Sequence, residues 1–306
     1  MFDRIRLLPW IVVLASLFAS SAVLAQVYRA QSDLVVLQVA VHNRRAEPVA
    51  NLTQREFRVS EDGVFQEVRF FGSWDQPVAI GLVVDNSGSM IPRRQEVVAA
   101  AEAFVKGSNP DDAVFVVNFN ERVSYGLPDR VLFSSDPVVL QRALGTIRAS
   151  GQTALYDGVS VALDHVAKST LDQHVLVVIS DGADNRSRTP YKSVLDQALK
   201  SKAVIYAVGI FDEIEGGNRK PLRELASVTG GMSFFPEKLE EVREVLDRIC
   251  LDVRRRYTIG YVSTNAKRDG TFRKVKVDAV DTEKRRPLEA RARGGYFAGV
   301  MENTTR

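Results

Sequence analysis

The chain has 306 residues, 45% hydrophobic, 26% charged and 8% aromatic, which suits a globular protein with enough apolar residues for one large or two modest domains. A formal net charge of +3 is too small for a protein that holds nucleic acid by neutralising phosphates. The single cysteine, Cys250, excludes an intramolecular disulfide and a cysteine-based metal cluster.

Residues 1–25 read as an export signal. Arg4 and Arg6 form a basic start, Leu7 to Phe18 is apolar apart from Pro9 and Ser16, and Val23-Leu24-Ala25 places small residues where a signal peptidase cuts. No cysteine follows, so no lipid attachment is expected. Cleavage would give a periplasmic or secreted protein with no integral membrane domain. The alternative is an uncleaved anchor, because Leu7 to Ala25 nearly reaches the roughly 20 residues that a span requires.

From Val27 to about Trp74 the pattern is β. Leu34, Val36, Gln38, Ala40 and His42 alternate with Val35, Leu37, Val39 and Val41, and the runs Phe57–Ser60 and Gln66–Phe71 flank the turn Glu61-Asp62-Gly63. From 75 to 253 the pattern changes to continuous apolar runs: Val78–Val84, Ala113–Val117, Val175–Ile179 and Ala203–Ile210. Such runs suit strands buried on both faces of a parallel sheet. Helical patterns lie between and after them, at Glu96–Lys106, Val138–Arg148, Leu155–Lys168, Tyr191–Lys200, Pro221–Ser227 and Glu237–Val253. This alternation predicts a doubly wound α/β domain with helices on both faces of a mostly parallel sheet. From 256 to 298 the chain returns to β at Tyr257–Val262, Phe272–Val277 and, more weakly, Leu288–Phe297, before a tail over 299–306. Neither β section buries much core alone. Together they supply about six strands, so 27–74 and 256–298 are expected to form one small sandwich-like domain, with the α/β domain inserted in it.

The first buried run ends in Asp85-Asn86-Ser87-Gly88-Ser89-Met90, which puts a carboxylate and two hydroxyls at the carboxyl end of a central strand. Hard oxygen donors of this kind suit Mg²⁺, or Mn²⁺. Gly88 would let the backbone turn tightly enough for both hydroxyls to face one point. Two more oxygens come from other loops: Thr153, in Gly151-Gln152-Thr153-Ala154-Leu155-Tyr156-Asp157, and Asp181, which follows the run ending in Ser180. All lie on the face where this type of fold binds ligands.

Asp-x-Ser-x-Ser after a buried strand, then Gly-x-Thr-Ala-Leu-Tyr-Asp, then Ser-Asp-Gly after the next buried strand, in that order, resembles the von Willebrand factor type A family over about residues 75 to 250. The flanking β sections, with Glu61-Asp62-Gly63 before and Tyr257 to Tyr261 after, are similar to a bacterial subgroup of exported proteins with such domains. The resemblance implies a metal-ion-dependent adhesion site. Ser87, Ser89 and Thr153 would touch the metal directly or nearly so, and Asp85 and Asp181 directly or through water.

Neutral hydroxyl ligands leave the metal with residual positive charge, which an acidic side chain of a protein partner can complete. Hydrolysis at a metal needs an activated water and a positioned base, and no histidine lies near these loops in sequence: His42, His165 and His174 read as structural or exposed. The nucleophile elbow Gly-x-Ser-x-Gly is absent around Ser87. A phosphotransferase that begins with Asp after a strand would carry a second Asp where Ser87 stands. Asp157 and Asp184 lie near the site in sequence, where each would touch the metal's ligands or its partner, with a helix-start role for Asp157 and a loop role for Asp184 as the alternatives. Cys250 falls on the apolar face of the last helix with Leu239, Val242, Leu246, Ile249 and Val253, and reads as a buried thiol. Arg254-Arg255-Arg256 and Lys284-Arg285-Arg286 read as solvated charge rather than a polyanion or membrane site. The expected function is non-enzymatic, metal-dependent binding of a protein partner that offers a carboxylate. The alternative is an assembly subunit of an envelope complex whose metal only stabilises the loops.

Overall fold

Continuous and alternating apolar runs fold into two different sheets. The structure, a computed structural model, describes residues 34–73, 76–145, 149–211, 217–238, 240–282 and 286–299. The expected export signal lies outside these residues, as do Leu239, Lys284 and Arg285.

The six-stranded sheet contains β5 (Val78–Asp85), β6 (Ala113–Phe119), β7 (Val123–Tyr125), β8 (Gln173–Ser180), β9 (Val204–Gly209) and β10 (Ser233–Phe234), in the order β10-β9-β8-β5-β6-β7. All pairs are parallel except the edge pair β6–β7. Every residue of β5 is buried, as a strand covered on both faces requires. The helices are α1 (Arg94–Lys106), α2 (Pro137–Gly145), α3 (Leu155–Val166), α4 (Tyr191–Lys200), α5 (Arg219–Thr229) and α6 (Glu241–Arg254). The chain moves from β5 to β6 on one side, then returns to β8 on the other. Right-handed crossovers in opposite directions place α1 and α3 on opposite faces. Accordingly α1 packs with α2 and α6, and α4 packs with α3 and α5. The reversal leaves a crevice between the carboxyl ends of β5 and β8.

The second sheet is built from both ends of the described chain. It contains β1 (Leu34–His42), β2 (Phe57–Glu61), β3 (Val64–Gln66), β4 (Val68–Gly72), β11 (Tyr257–Val262), β12 (Phe272–Asp281), β13 (Arg286–Arg291) and β14 (Gly295–Phe297). The pairing order is β3-β2-β12-β13-β1-β11-β4, with β14 against β12. β1 bridges two halves, pairing β11 through Leu34–Val39 and β13 through Ala40–His42. Strands far apart in that order meet face to face. The rings of Phe57 (β2), Phe71 (β4) and Tyr257 (β11) lie 5.0 to 5.7 Å apart, and Tyr261 of β11 donates to Glu61 of β2 at 2.8 Å. The sheet is therefore folded over into a small sandwich with its own hydrophobic cluster, separate from that of the α/β region.

Eight strands stand where about six are expected, for two reasons. The run Gln66–Phe71 is divided: Val64–Gln66 stays with β2 at the Asp62-Gly63 turn, where φ is +49° and +82°, while Val68–Gly72 crosses to β11. The run Leu288–Phe297 is interrupted at residues 292–294, after which β14 continues in the direction of β13 and pairs with the start of β12.

Two of the three arginines at and after the end of α6, Arg254 and Arg256, are structural. Arg254 pairs with Asp112 and donates to the Gln76 carbonyl at 3.3 Å. Arg256 is 3% exposed and donates to the carbonyls of Gln38 (3.1 Å) and Gly230 (2.9 Å), to Tyr206 Oη (2.9 Å) and to Asp252 (3.3 Å). Arg254 ends the helix and Arg256 lies between it and β11, and the buried acceptors around them need donors.

Candidate metal centre

The site forms at the carboxyl ends of β5 and β8. Asp85, the last residue of β5, is 2% exposed. Its Oδ1 accepts from the Ser87 amide at 2.8 Å and its Oδ2 from Ser180 Oγ at 2.6 Å, so Ser180 spans the crevice. Burial pushes the Asp85 carboxyl up, the Ser180 and Ser87 hydrogen bonds pull it down, and the charge of Asp181 adds to the rise, to about 6. Ser87 Oγ lies 3.1 Å from Ser89 Oγ, and Ser89 Oγ donates to Asp181 Oδ2 at 2.6 Å. The other Asp181 oxygen accepts from the Ala183 amide at 2.9 Å. Thr153 is 3% exposed and is held through its backbone: its N–H donates to Asn185 Oδ1 at 2.9 Å, and its carbonyl accepts from the Asn185 and Arg186 amides at 3.0 Å each.

The local sequence explains the shape. Ser87 ends the extended chain, and residues Gly88–Arg93 form a 3-10 turn that carries Ser89 back over the strand end. Gly88 favours a close approach rather than a left-handed turn. Its N–H donates to the Gly151 carbonyl at 3.0 Å, and a Cβ would meet that oxygen at 3.3 Å. Gly182 does require the left-handed region, at φ +74°, and a Cβ there would fall 2.1 Å from the Asn218 carbonyl.

The oxygens of Ser87, Ser89 and Asp181 fit a small divalent cation. Neighbouring ligands of an octahedron with bonds of about 2.1 Å are separated by about 3.0 Å, close to the 3.1 and 2.6 Å separations here. Only two carboxylates contribute, and among the described residues no group of three or more His, Cys, Asp or Glu side chains could hold a metal. A cation at this place would rest on hydroxyls as much as on charge.

Asp157 and Asp184 serve as latches. Asp157 accepts from the amides of Arg188 (3.0 Å) and Thr189 (2.9 Å), and Asp184 accepts from Ser187 Oγ (2.6 Å) and the Tyr156 amide (3.3 Å). They tie the start of α3 to the loop after β8.

Four polar residues here are not singled out by the sequence. Ser180 is marked only by its place before Asp181. Asn86 and Asn118 are fully buried, with Asn86 Nδ2 donating to Asn118 Oδ1 at 3.0 Å and Asn118 Nδ2 to the Ala143 carbonyl at 2.9 Å. They pin the β5 loop to β6 and α2. Glu121 lies over Gly151, where a Cβ would meet its Oε2 at 3.0 Å.

The histidines stand elsewhere. His165 is buried among Phe115, Tyr125 and Phe133, with Nε2 2.7 Å from the Leu132 carbonyl. His42 faces Asp252 at 2.8 Å. Cys250 is half-buried rather than buried, beside the Gly107 carbonyl at 3.8 Å, and burial pushes its thiol up.

Comparison with known proteins gives a consistent fold. A family model described as von Willebrand factor type A domain matches residues 80–183. The solved von Willebrand factor type A protein from Catenulispora acidiphila aligns over 89% of this chain and 75% of its own, with a TM-score of 0.53 and 14% identity. Proximal thread matrix protein 1 from the mussel byssus, solved with a zinc occupied MIDAS motif, aligns over 61% of this chain with a TM-score of 0.50 and 20% identity. The chain spans about half the length of that mussel protein, 48%. A search of curated protein sequences found no match. At these identities the likeness to solved structures is one of fold.

Proposed function

With the family match over residues 80–183 and the fold around it, this chain is a von Willebrand factor type A domain protein, and we propose that it is a non-enzymatic, divalent-metal-dependent protein-binding module of an exported protein. Asp85, Ser87, Ser89, Thr153 and Asp181 hold Mg²⁺ or Mn²⁺, and a carboxylate of the partner completes the coordination. The observation that carries this reading is the convergence of two carboxylates and hydroxyl oxygens at the strand reversal, with Ser89 Oγ 2.6 Å from Asp181 and 3.1 Å from Ser87. With neutral hydroxyls as the other donors, two carboxylates do not over-neutralise a divalent cation, so a partner carboxylate can still be accepted as a ligand. The known likeness to a protein solved with a zinc occupied MIDAS motif supports the same reading.

Export rests on the sequence of residues 1–25. Among the described residues no helix is long and apolar enough to cross a membrane.

One observation favours a second reading, an assembly subunit. Leu34, Val36, Phe70 and Val262 are 39 to 47% exposed on neighbouring strands β1, β4 and β11, around Gly260. An apolar face of this kind suits permanent packing.

A pull-down from native membranes with and without EDTA separates the two. The proposed function predicts a partner that is released by EDTA and is not captured by the Asp85→Ala variant. A partner retained under both conditions supports the assembly subunit instead.

A further inference from the structure

Beside the Thr153 loop lies a cleft of about 530 Å³ lined by Arg122, Arg186 and Arg188, by Ala154, and by the carboxylates Glu121 and Asp157. The three arginines are exposed and come from two loops distant in sequence, one after β6 and one after β8. Backbone hydrogen bonds hold both loops against the metal loop. The Ala154 amide donates to the Asn120 carbonyl at 2.7 Å, and the Arg186 amide donates to the Thr153 carbonyl at 3.0 Å. The Arg122 amide donates to Asn120 Oδ1 at 3.0 Å, and the Arg188 amide to Asp157 Oδ2 at 3.0 Å. Three cationic side chains are thus anchored at their backbones around one concavity that adjoins a proposed metal ligand.

The two carboxylates, Glu121 and Asp157, offset part of this positive charge but leave the three cations in excess. Both oxygens of Asp157 are taken by the amides of Arg188 and Thr189. Burial pushes this carboxyl up, but the hydrogen bonds from Thr189 and Arg188 and the nearby charge of Arg188 outweigh it and hold it below the usual carboxylate range, so it stays ionised beside Arg188. Glu121 lies over Gly151, at the end of the cleft next to the metal loop. Among the described residues no ion pair within 4.0 Å ties Arg122, Arg186 or Arg188 to a carboxylate. A planar guanidinium presents a fork of donors that matches a carboxylate, and three of them in one cleft match a run of acidic residues better than a single group.

We propose that this cleft is a second subsite for an acidic protein segment, with Arg122, Arg186 and Arg188 binding Asp or Glu side chains that flank the carboxylate placed at the metal. The proposal rests on the metal-dependent binding reading and names its partner: a segment with several carboxylates rather than one.

The test uses hexaglutamate as the probe, titrated into the full chain in EDTA and in Mg²⁺. In EDTA the cleft acts alone. Binding there is expected to be weak and salt-sensitive, and to fall about tenfold when Arg122, Arg186 and Arg188 are all replaced by Gln, from the loss of three surface charge pairs. Hexalysine is expected not to bind. An Arg122→Glu/Arg186→Glu variant should reverse this preference, binding hexalysine over hexaglutamate, which simple loss of folding would not produce. No binding of hexaglutamate in EDTA, or binding that these variants leave unchanged, overturns the proposal. If the EDTA results hold and Mg²⁺ adds nothing, the acidic subsite stands and the metal-dependent reading fails.

Discussion

His42 Nε2 lies 2.8 Å from a carboxylate oxygen of Asp252, and both side chains are 2% exposed. The contact joins β1 of the sandwich to the last turns of α6. Asp252 also accepts from Tyr206 of β9 and Arg256, so one buried carboxylate holds both sheets and the last helix together. Removing one member of a buried charged set leaves the others unpaired, at a cost of about 3–5 kcal/mol. Asp252→Asn should lower the unfolding free energy by that amount, read from urea denaturation, while metal affinity of the folded protein stays near that of the parent. A loss below about 1 kcal/mol would show that the set contributes little.

The same contacts bear on whether the last helix moves when the metal site is engaged. Arg256 alone donates to Gln38, Tyr206, Gly230 and Asp252, and an axial shift of α6 would break these buried bonds together. We expect amide exchange across residues 246–262 to be unchanged by Mg²⁺, with any added protection confined to residues 86–93, 150–154 and 181–186. A metal-dependent change at the junction of α6 and β11 would show that the helix does shift.

Stability should fall steeply in acid. Burial is the largest influence on Asp252 and on Glu61 and pushes each carboxyl up. It is outweighed at Asp252 by Arg256, His42 and Tyr206, and at Glu61 by Ser263, Tyr261, Tyr296 and Arg273, so both are held below the usual range. A carboxyl lowered in the fold stabilises fully above its unfolded value, about 4, and loses that contribution as pH falls through the lower folded value. Thermal melts are expected to show the parent losing stability from about pH 4 downward, and Asp252→Asn losing less over the same window. Equal slopes for the two proteins would contradict this assignment.

Gly182 offers a test of loop geometry. An alanine there must take φ near +74° and bring its Cβ to 2.1 Å from the Asn218 carbonyl. The positive φ alone costs about 1–3 kcal/mol, and the backbone contact must also be relieved, which displaces Asp181. Gly182→Ala should therefore lower both the melting temperature and the affinity for Mn²⁺. Gly63→Ala, at φ +82° with open space around it, should cost stability only.

Much of this architecture is legible in the sequence because burial on both faces leaves an unmistakable record. Val78–Val84 and Val175–Ile179 are continuous apolar runs, and both are strands of the parallel sheet. The motif spacing around Asp85, Thr153 and Asp181 reads directly because those residues lie at or beside the end of a strand or the start of a helix, and the structure brings Asp85, Ser87, Ser89 and Asp181 into one hydrogen-bonded group. The short edge strands β7 and β10 leave no such record, since two or three half-exposed residues carry no period. The roles of Arg254 and Arg256 depend on acceptors supplied by Gln76, Gln38 and Gly230. No local pattern encodes such partners, so a basic run that is largely structural resembles solvated charge. The convergence of Arg122 with Arg186 and Arg188 is hidden for the same reason.

Calorimetric titration of the purified chain with Mn²⁺ or Mg²⁺ shows whether Asp85, Ser87, Ser89, Thr153 and Asp181 hold one divalent cation. One site per chain is expected, lost in Asp85→Ala with the fold retained, and preserved in Asp184→Ala, whose carboxylate is engaged by Ser187 and Tyr156. Unchanged affinity in Asp85→Ala, or no binding by the parent protein, would contradict it.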